Sequence, residues 1–376
     1  MGYFAYAFSH SAIKSVLAAQ YGYLGLIPNL AATLAAFVNI ESAPLVTTYC
    51  ALLIQFVVSA YIFFCDSVYW DTFLKKVVIA SSIQLLCPPE CWLTTISSQY
   101  FLYIVSFLIL IENENVQKTW LKWPSRFILL ISGLTGPSVT FLLLSYIFKA
   151  NRTRFREDIL RAGIVFFCGT IQGLAFVNTA LNSRGELVNR FDTSRFNWVN
   201  ILKTHLVDAF AGDYLLEYVA NSYMVNSESI QNGCFLFFVF SSLYLLIKCC
   251  LQRQLHLHII SFMLLSIPSI ILSLNMRSSP RAAFAPAIIL VIVSLYESRF
   301  GNNRLLARGA ATFLLSSIML FGILSHRGKV YSSPTFPRWK DEVALWRQDN
   351  RHRLKIWPQF INDEHDWRIE LFEKEK

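Results

Sequence analysis

The chain has 376 residues, of which 55% are hydrophobic, 15% aromatic and only 15% charged. Soluble domains carry about 25% charged residues, and here the charges collect in short clusters between long uncharged runs, which excludes an ordinary soluble globular domain. The net charge of +9 comes from residues flanking apolar runs and forms no basic face of the kind that nucleic acid requires, so no nucleic-acid partner is expected.

In chain order, residues 1–20 lack the basic start and clean apolar core of a cleavable signal peptide, because His10, Ser11 and Lys14 interrupt them. They read as an amphipathic or interfacial segment. Gly22 to Ile40 is apolar but carries Pro28-Asn29, which suggests an interfacial helix or a short broken span. Pro44 to Phe64 is a span. Val77 to Cys87 is short and crosses only if Phe73 to Lys76 contribute, with the lysines snorkelling. Pro88 to Cys91 is a tight turn, and Trp92 to Ile111 is a span. Phe127 to Phe148 is cut by Gly133, Gly136 and Pro137. Proline has no N–H, so the helix must kink or break there. Ile159 to Val177 is a span, and Asn178 to Asn232 is one long segment between spans, in which Ile201 to Met224 has helical periodicity. Cys234 to Ile247, Leu257 to Leu274, Ala282 to Tyr296 and Leu305 to Leu324 follow. The predicted fold is therefore all-α: a polytopic transmembrane helical bundle of about eight to ten hydrophobic segments, one of them broken at Gly136-Pro137. It occupies residues 1–324, including the long segment 178–232. Residues 325–376 form a short polar tail with Trp339, Trp346, Trp357 and Trp367, expected to pack on the bundle or its surface.

The positive-inside rule orients the chain. Lys75-Lys76 and the clusters at Lys118–Arg126, Lys149–Arg161, Lys248–Arg253 and Arg299–Arg308 belong in the cytoplasm. Phe127–Phe148 must then enter and return as a broken hairpin. That puts the N-terminus, the Pro88–Cys91 turn, residues 178–232, Asn275–Arg281 and the tail on the outer face.

No phosphate-binding glycine loop, nucleophile elbow or metal-ligand pattern is present, and no cofactor is indicated. His256 and His258 read as interfacial residues. Most of the eight cysteines lie in apolar runs as small hydrophobes. Cys87 and Cys91 bracket the turn and would pair only in an oxidising space. Glu90 sits in that turn, where a carboxylate can act as general base on a hydroxyl acceptor or can favour the dipole of the helix beginning at Trp92. Glu41 reads as a cap for the Pro44 span. Ser97, Ser98, Gln99 and Tyr100 make a polar patch below Glu90, suited to substrate contact or to helix packing. Gln172 has the same two readings. Arg277 and Arg281 flank Ser278-Ser279-Pro280 at the outer face and suit a phosphate or pyrophosphate, which guanidinium binds bidentately. Their bland alternative is a salt bridge or a lipid headgroup.

Three stretches carry a resemblance: Gly22-Tyr23-Leu24 with Pro28 ahead of the Pro44 span; Leu134-Thr135-Gly136-Pro137 before an apolar run and a basic loop; and the tail residues Pro337-Arg338-Trp339, Glu342-Val343, Trp346 and Ile356-Trp357-Pro358. With the span pattern they resemble polytopic membrane proteins of bacterial surface-polysaccharide loci, of the C-type glycosyltransferase kind. The resemblance implies a cell-envelope glycosyltransferase in the bacterial inner (plasma) membrane. Its partners would be membrane lipid, a polyprenyl-phosphate-linked sugar donor and a glycan acceptor. The family's catalytic acid lies in the first outer loop after a first span. This chain has no clear first span within residues 1–43 and no Asp before Asp66, so that acid is not carried over. The residues themselves nominate Glu90 as the catalytic base and Arg277, Arg281, Gln99 and Tyr100 as substrate contacts. The rival expectations are a transporter or flippase of envelope precursors and a non-enzymatic membrane subunit of a larger complex.

Overall fold

A computed structural model describes residues 2–20, 22–65, 67–88, 91–112, 119–182, 201, 204–205, 210, 227–273, 280–300, 304–327, 337–355 and 368–371. The described residues are 81% helical. Strands are confined, among the described residues, to two two-residue antiparallel pairs, so the fold is all-α.

The N-terminal segment is a compact assembly of short elements. Helices α1 (Gly2–Ser9) and α2 (Ala12–Val16) precede strands β1 (Ala19–Gln20) and β2 (Tyr23–Leu24), then α3 (Leu26–Ala35). Gly22, at φ 87°, makes the turn between the strands, a conformation that favours glycine. Pro28 does not break α3, because it lies in the first turn, where its missing N–H has no helical partner to lose. Asn29 is buried, and its amide donates to the carbonyls of Val16 (3.0 Å) and Ala18 (2.7 Å), tying α2 to α3.

Helix α4 (Ala43–Phe64) starts with Pro44 in its first turn and runs towards α5 (Phe73–Leu86), whose N-cap Thr72 accepts from the Lys75 amide at 3.4 Å. Helix α6 begins only at Ser98 and ends at Ile111. Trp92 to Ser97 are turns rather than helix, and Leu93 adopts the left-handed conformation at φ 55°. The run Thr94-Thr95-Ile96-Ser97 explains the late start: β-branched residues and hydroxyls that compete for backbone groups are poor helix initiators. Twelve of the fourteen residues of α6 are buried, so it is the central helix of the bundle.

Helix α7 (Lys122–Leu134) stops before Gly136-Pro137, and α8 (Ser138–Phe141) and α9 (Leu143–Thr153) carry the chain back. Both limbs pack on α10 (Arg156–Asn182). Near the chain ends of the limbs, Arg126 of α7 and Thr153 of α9 meet Glu157 and Asp158, the first turn of α10. At the tip, a Cβ on Gly133 would lie 2.6 Å from the Cβ of Cys168 and one on Gly136 would lie 2.6 Å from Gln99 Oε1. The segment is thus a broken hairpin that enters and leaves at one end of the bundle, and at Gly133 only glycine permits its close approach to α10. The remaining helices are α11 (Ser227–Leu251), α12 (His256–Ser273), α13 (Pro280–Phe300) and α14 (Arg304–Arg327). Residues 283–293 of α13 are all buried beside α6 and α5, making a second central helix.

The tail folds back on the N-terminal segment. Helix α15 (Trp339–Gln348) and strands β3 (Leu354–Lys355) and β4 (Arg368–Ile369) enclose Val343, Leu354, Ile369 and Leu371 together with Ile40, against Phe4 and Phe8 of α1. Trp339 Nε1 donates to Ile40 O at 2.7 Å. Glu41 pairs with Arg347 at 2.7 Å, so it serves this docking; Ser42, not Glu41, occupies the N-cap of α4. Inside the tail, Glu342 accepts from the Lys355 amide (3.0 Å) and His352 Nε2 (2.9 Å). Burial alone would raise its carboxyl, but these donors outweigh burial and hold it below the ordinary 4.5. A carboxyl depressed by folding stabilises the fold above its unfolded pKa and loses that contribution as pH falls through the folded value. The contact between α15 and residues 352–355 should therefore weaken as the pH drops below 4.5. Tryptophan fluorescence of the wild type should change over that range, and Glu342→Gln should flatten the response. An equal response in both would refute the role of Glu342.

Candidate functional site

Two regions merit description as sites: the end of the bundle that gathers the basic loops, and the opposite end, where the sequence places its candidate residues.

At the basic end the polar groups are bound into one lattice. Glu112, immediately after α6, is fully buried. Its Oε2 accepts from Tyr61 OH (3.0 Å) and lies 3.2 Å from Arg161 Nη2, and its Oε1 accepts from Cys65 Sγ (2.9 Å). Arg161, also fully buried, donates from Nη1 to Ile109 O at 3.2 Å, and its Nε is 3.4 Å from Glu157 Oε1. Arg126 grips Glu157 through both nitrogens of its fork, at 3.0 and 2.5 Å. Lys149 donates to Glu112 O (2.9 Å) and pairs with Asp158 (2.9 Å), which also accepts from Thr153 Oγ1 (2.6 Å). Three acids thus face three bases across α6, α7, α9 and α10. A lattice so evenly matched fixes the hairpin in place and offers no excess charge to a ligand.

Beside it the arrangement differs. Gln252, after α11, donates to Glu297 Oε1 of α13 at 2.6 Å. Glu297 is fully buried, and so is His258 of α12. The sequence suggests an interfacial His258, but its ring stands inside the bundle, edge-on to Tyr69 (4.6 Å) and Phe107 (5.5 Å). Neither ring nitrogen has a hydrogen-bond partner among the described residues. Outside this pair opens a cleft of about 310 Å³ lined by Phe148, Asn151, Arg152, Arg253 and His256.

At the opposite end, Gln99 and Tyr100 occupy the first turn of α6. Gln99 Oε1 accepts from Tyr103 OH at 2.9 Å and abuts Gly136, and the Tyr100 ring packs edge-on to Tyr103 at 5.8 Å. Gln99 therefore lies between the hairpin tip and α6. Gln172 is wholly engaged in structure. Its Oε1 accepts from the Leu24 amide (2.9 Å), and its Nε2 donates to Leu24 O (3.1 Å) and Gly133 O (2.9 Å). Glu90 and Arg277 lie outside the described residues, and so does the side chain of Arg281, whose backbone is in the first turn of α13. Cys87 and Cys91 are both buried. No group of three metal-ligating side chains occurs among the described residues.

Sequence reasoning missed the lattice because Glu112 and Arg161 read as loop charges at the ends of apolar runs. Their burial follows from the hairpin, which covers them. Compared with known families, curated proteins and solved structures, the chain matches none.

Proposed function

We propose that this chain is a multi-pass membrane protein, with its basic end in the cytoplasm. The observation that carries the reading is that the described basic clusters between the apolar helices sit at one end, the tail's own basic residues (Arg338, Lys340, Arg347, Arg351, Arg353 and Lys355) lying with the docked tail at the other. Lys76 reaches Phe63 O, Lys149 and Arg161 meet Glu112, Arg152 meets Arg253 O, and Arg308 meets Ser298 O. Between that end and the docked tail the surface is apolar. Helices α4 and α10 are long and apolar enough to cross a membrane, yet only 28% and 17% of their most apolar windows is buried. Leu45, Leu52, Leu53 and Phe56 on α4 and Phe166, Phe167, Leu174 and Val177 on α10 are exposed. The core helix of a soluble protein is mostly buried, and water does not tolerate contiguous apolar surface of this extent. Helix α4 alone, at about 33 Å, spans the roughly 30 Å hydrocarbon layer. The shorter α5 and α6 lie within the bundle, where non-helical backbone such as residues 91–97 is tolerated at membrane depth.

For the activity we propose a cell-envelope glycosyltransferase that takes a polyprenyl-phosphate-linked sugar and passes it to an acceptor at the outer face. The resemblance supports it, as does the shared end of α5, α6 and α13, which brings together the ends of the helices on either side of residues 87–97 and the start of α13 at Pro280-Arg281. Glu90 would deprotonate the acceptor hydroxyl, the sugar's anomeric carbon would move from the donor phosphate to that oxygen, and Arg277 and Arg281 would hold the departing phosphate. In this reading Gln99 and Tyr100, in the first turn of α6 beside residues 91–97, would contact the substrate. Glu90→Gln should abolish surface glycan while leaving protein level and melting temperature unchanged. Normal glycan in that variant sinks the catalytic assignment and turns attention to transport of envelope precursors or a scaffold role.

A further inference from the structure

We propose that the cleft at the basic end is a binding site for the phosphate of an anionic phospholipid whose acyl chains lie in the groove between α9 and α12. The proposal rests on the membrane reading above. It is distinct from the proposed transfer chemistry at the opposite face.

The cleft is built from groups that no carboxylate among the described residues pairs with. Arg152 comes from the last turn of α9 and Arg253 from the short turn between α11 and α12. Arg152 Nη1 makes only a long contact, 3.4 Å, to the Arg253 carbonyl. Neither arginine pairs with an acid among the described residues, whereas Arg126, Lys149 and Arg161, one helical turn or so away, are each matched by one. His256 is the first residue of α12, so the positive dipole end of that eighteen-residue helix faces the same space. His256 gives its Nε2–H to Cys250 O at 3.0 Å, which leaves recognition chiefly to the two guanidinium groups. Asn151 adds an uncharged polar group to the lining. Two unmatched guanidiniums at a helix N-terminus suit a phosphate diester better than a carboxylate, since its oxygens accept from both forks.

The walls decide for a lipid over a free anion. On α9, Phe148 and Leu144 stand one and two turns from Arg152 on the same helix face, and both are exposed. Ser261 Oγ of α12 and Ser145 Oγ of α9 hydrogen-bond at 3.1 Å, which holds the two helices side by side next to this stripe. A cationic mouth at the membrane edge therefore continues into an apolar groove between two adjacent helices. A headgroup phosphate fills the first and acyl chains fill the second, and inorganic phosphate would leave the groove empty.

The test uses the full chain, purified in detergent, stripped of lipid and titrated while native mass spectrometry counts bound molecules. Dioleoyl phosphatidylglycerol should bind the wild type about ten- to thirty-fold more tightly than dioleoyl phosphatidylcholine, as expected of two arginines near one anionic headgroup. The double variant Arg152→Gln/Arg253→Gln should lose that preference with an unchanged melting temperature, and Arg152→Lys/Arg253→Lys should keep part of it. If the glutamine variant unfolds, Phe148→Asp, which blocks the groove and spares the arginines, should lose the preference instead. An undiminished preference in these variants overturns the proposal. So does competition by millimolar inorganic phosphate as effective as that by lipid, which would make this a simple anion site. Alkaline carbonate extraction separates the underlying readings. A chain retained in the membrane pellet without an arginine-dependent preference loses only this site, whereas a chain released by carbonate loses the membrane reading and the site together.

Discussion

Arg161→Met should be the most damaging single substitution at the basic end. It leaves Glu112, fully buried, without its cation, and removes one of the two partners of Glu157. Removing one member of a buried pair costs about 3–5 kcal/mol, because the remaining charge keeps its desolvation penalty. The detergent-purified variant should melt far below the wild type or fail to accumulate. The companion test is Arg161→Leu/Glu112→Leu. It removes both charges and leaves Arg126 with Glu157 and Lys149 with Asp158. Because apolar replacement of a whole buried pair is often neutral or stabilising, the double variant should recover most of the lost stability. If the double variant is no better than Arg161→Met, the damage comes from lost packing volume, and the electrostatic account fails.

The second large effect is all-or-none. A cysteine at Arg156, exposed at the start of α10, and one at Lys340, exposed on α15, lie at opposite ends of the bundle. In a background with the exposed Cys250 replaced by serine, a membrane-impermeant maleimide should label Lys340→Cys in intact cells. It should label Arg156→Cys only after permeabilisation. Labelling of both from one side would mean that the chain does not cross, or crosses an even number of times between these points. Reversal of the two would leave the crossing intact and invert the orientation.

The sequence and the structure divide the account along physical lines. The positions of the apolar runs were legible because the charges are excluded from them. Helices α4, α10, α11, α12, α13 and α14 fall where those runs lie, extended by a few residues at their polar ends, where side chains leave the apolar layer but the backbone stays helical. The break at Gly136-Pro137 was legible too, since proline cannot continue the hydrogen-bond ladder. The late start of α6 was not, because apolar content hid the Thr94–Ser97 run. Pro28 misled in the opposite sense: a proline in a first turn begins a helix rather than breaking it.

Side-chain roles were less legible. Gln99, Tyr100, Gln172 and Glu41 each had a packing reading beside a functional or capping one, and nothing in their spacing could choose between them. That choice needs the partner, and each partner lies far along the chain: Gly136 for Gln99, Leu24 for Gln172, Arg347 for Glu41.

What the sequence determined by itself is the class of surface and the list of segments. Apolar run length and charge exclusion are local properties that need no fold to be read. What only the tertiary structure decided is which charges are spent and which are free. Arg161 and Arg152 sit nine residues apart in the same basic stretch and are alike in sequence context. One is buried between two carboxylates and the other opens on a cleft with none, because the returning hairpin covers the first and leaves the second at its rim.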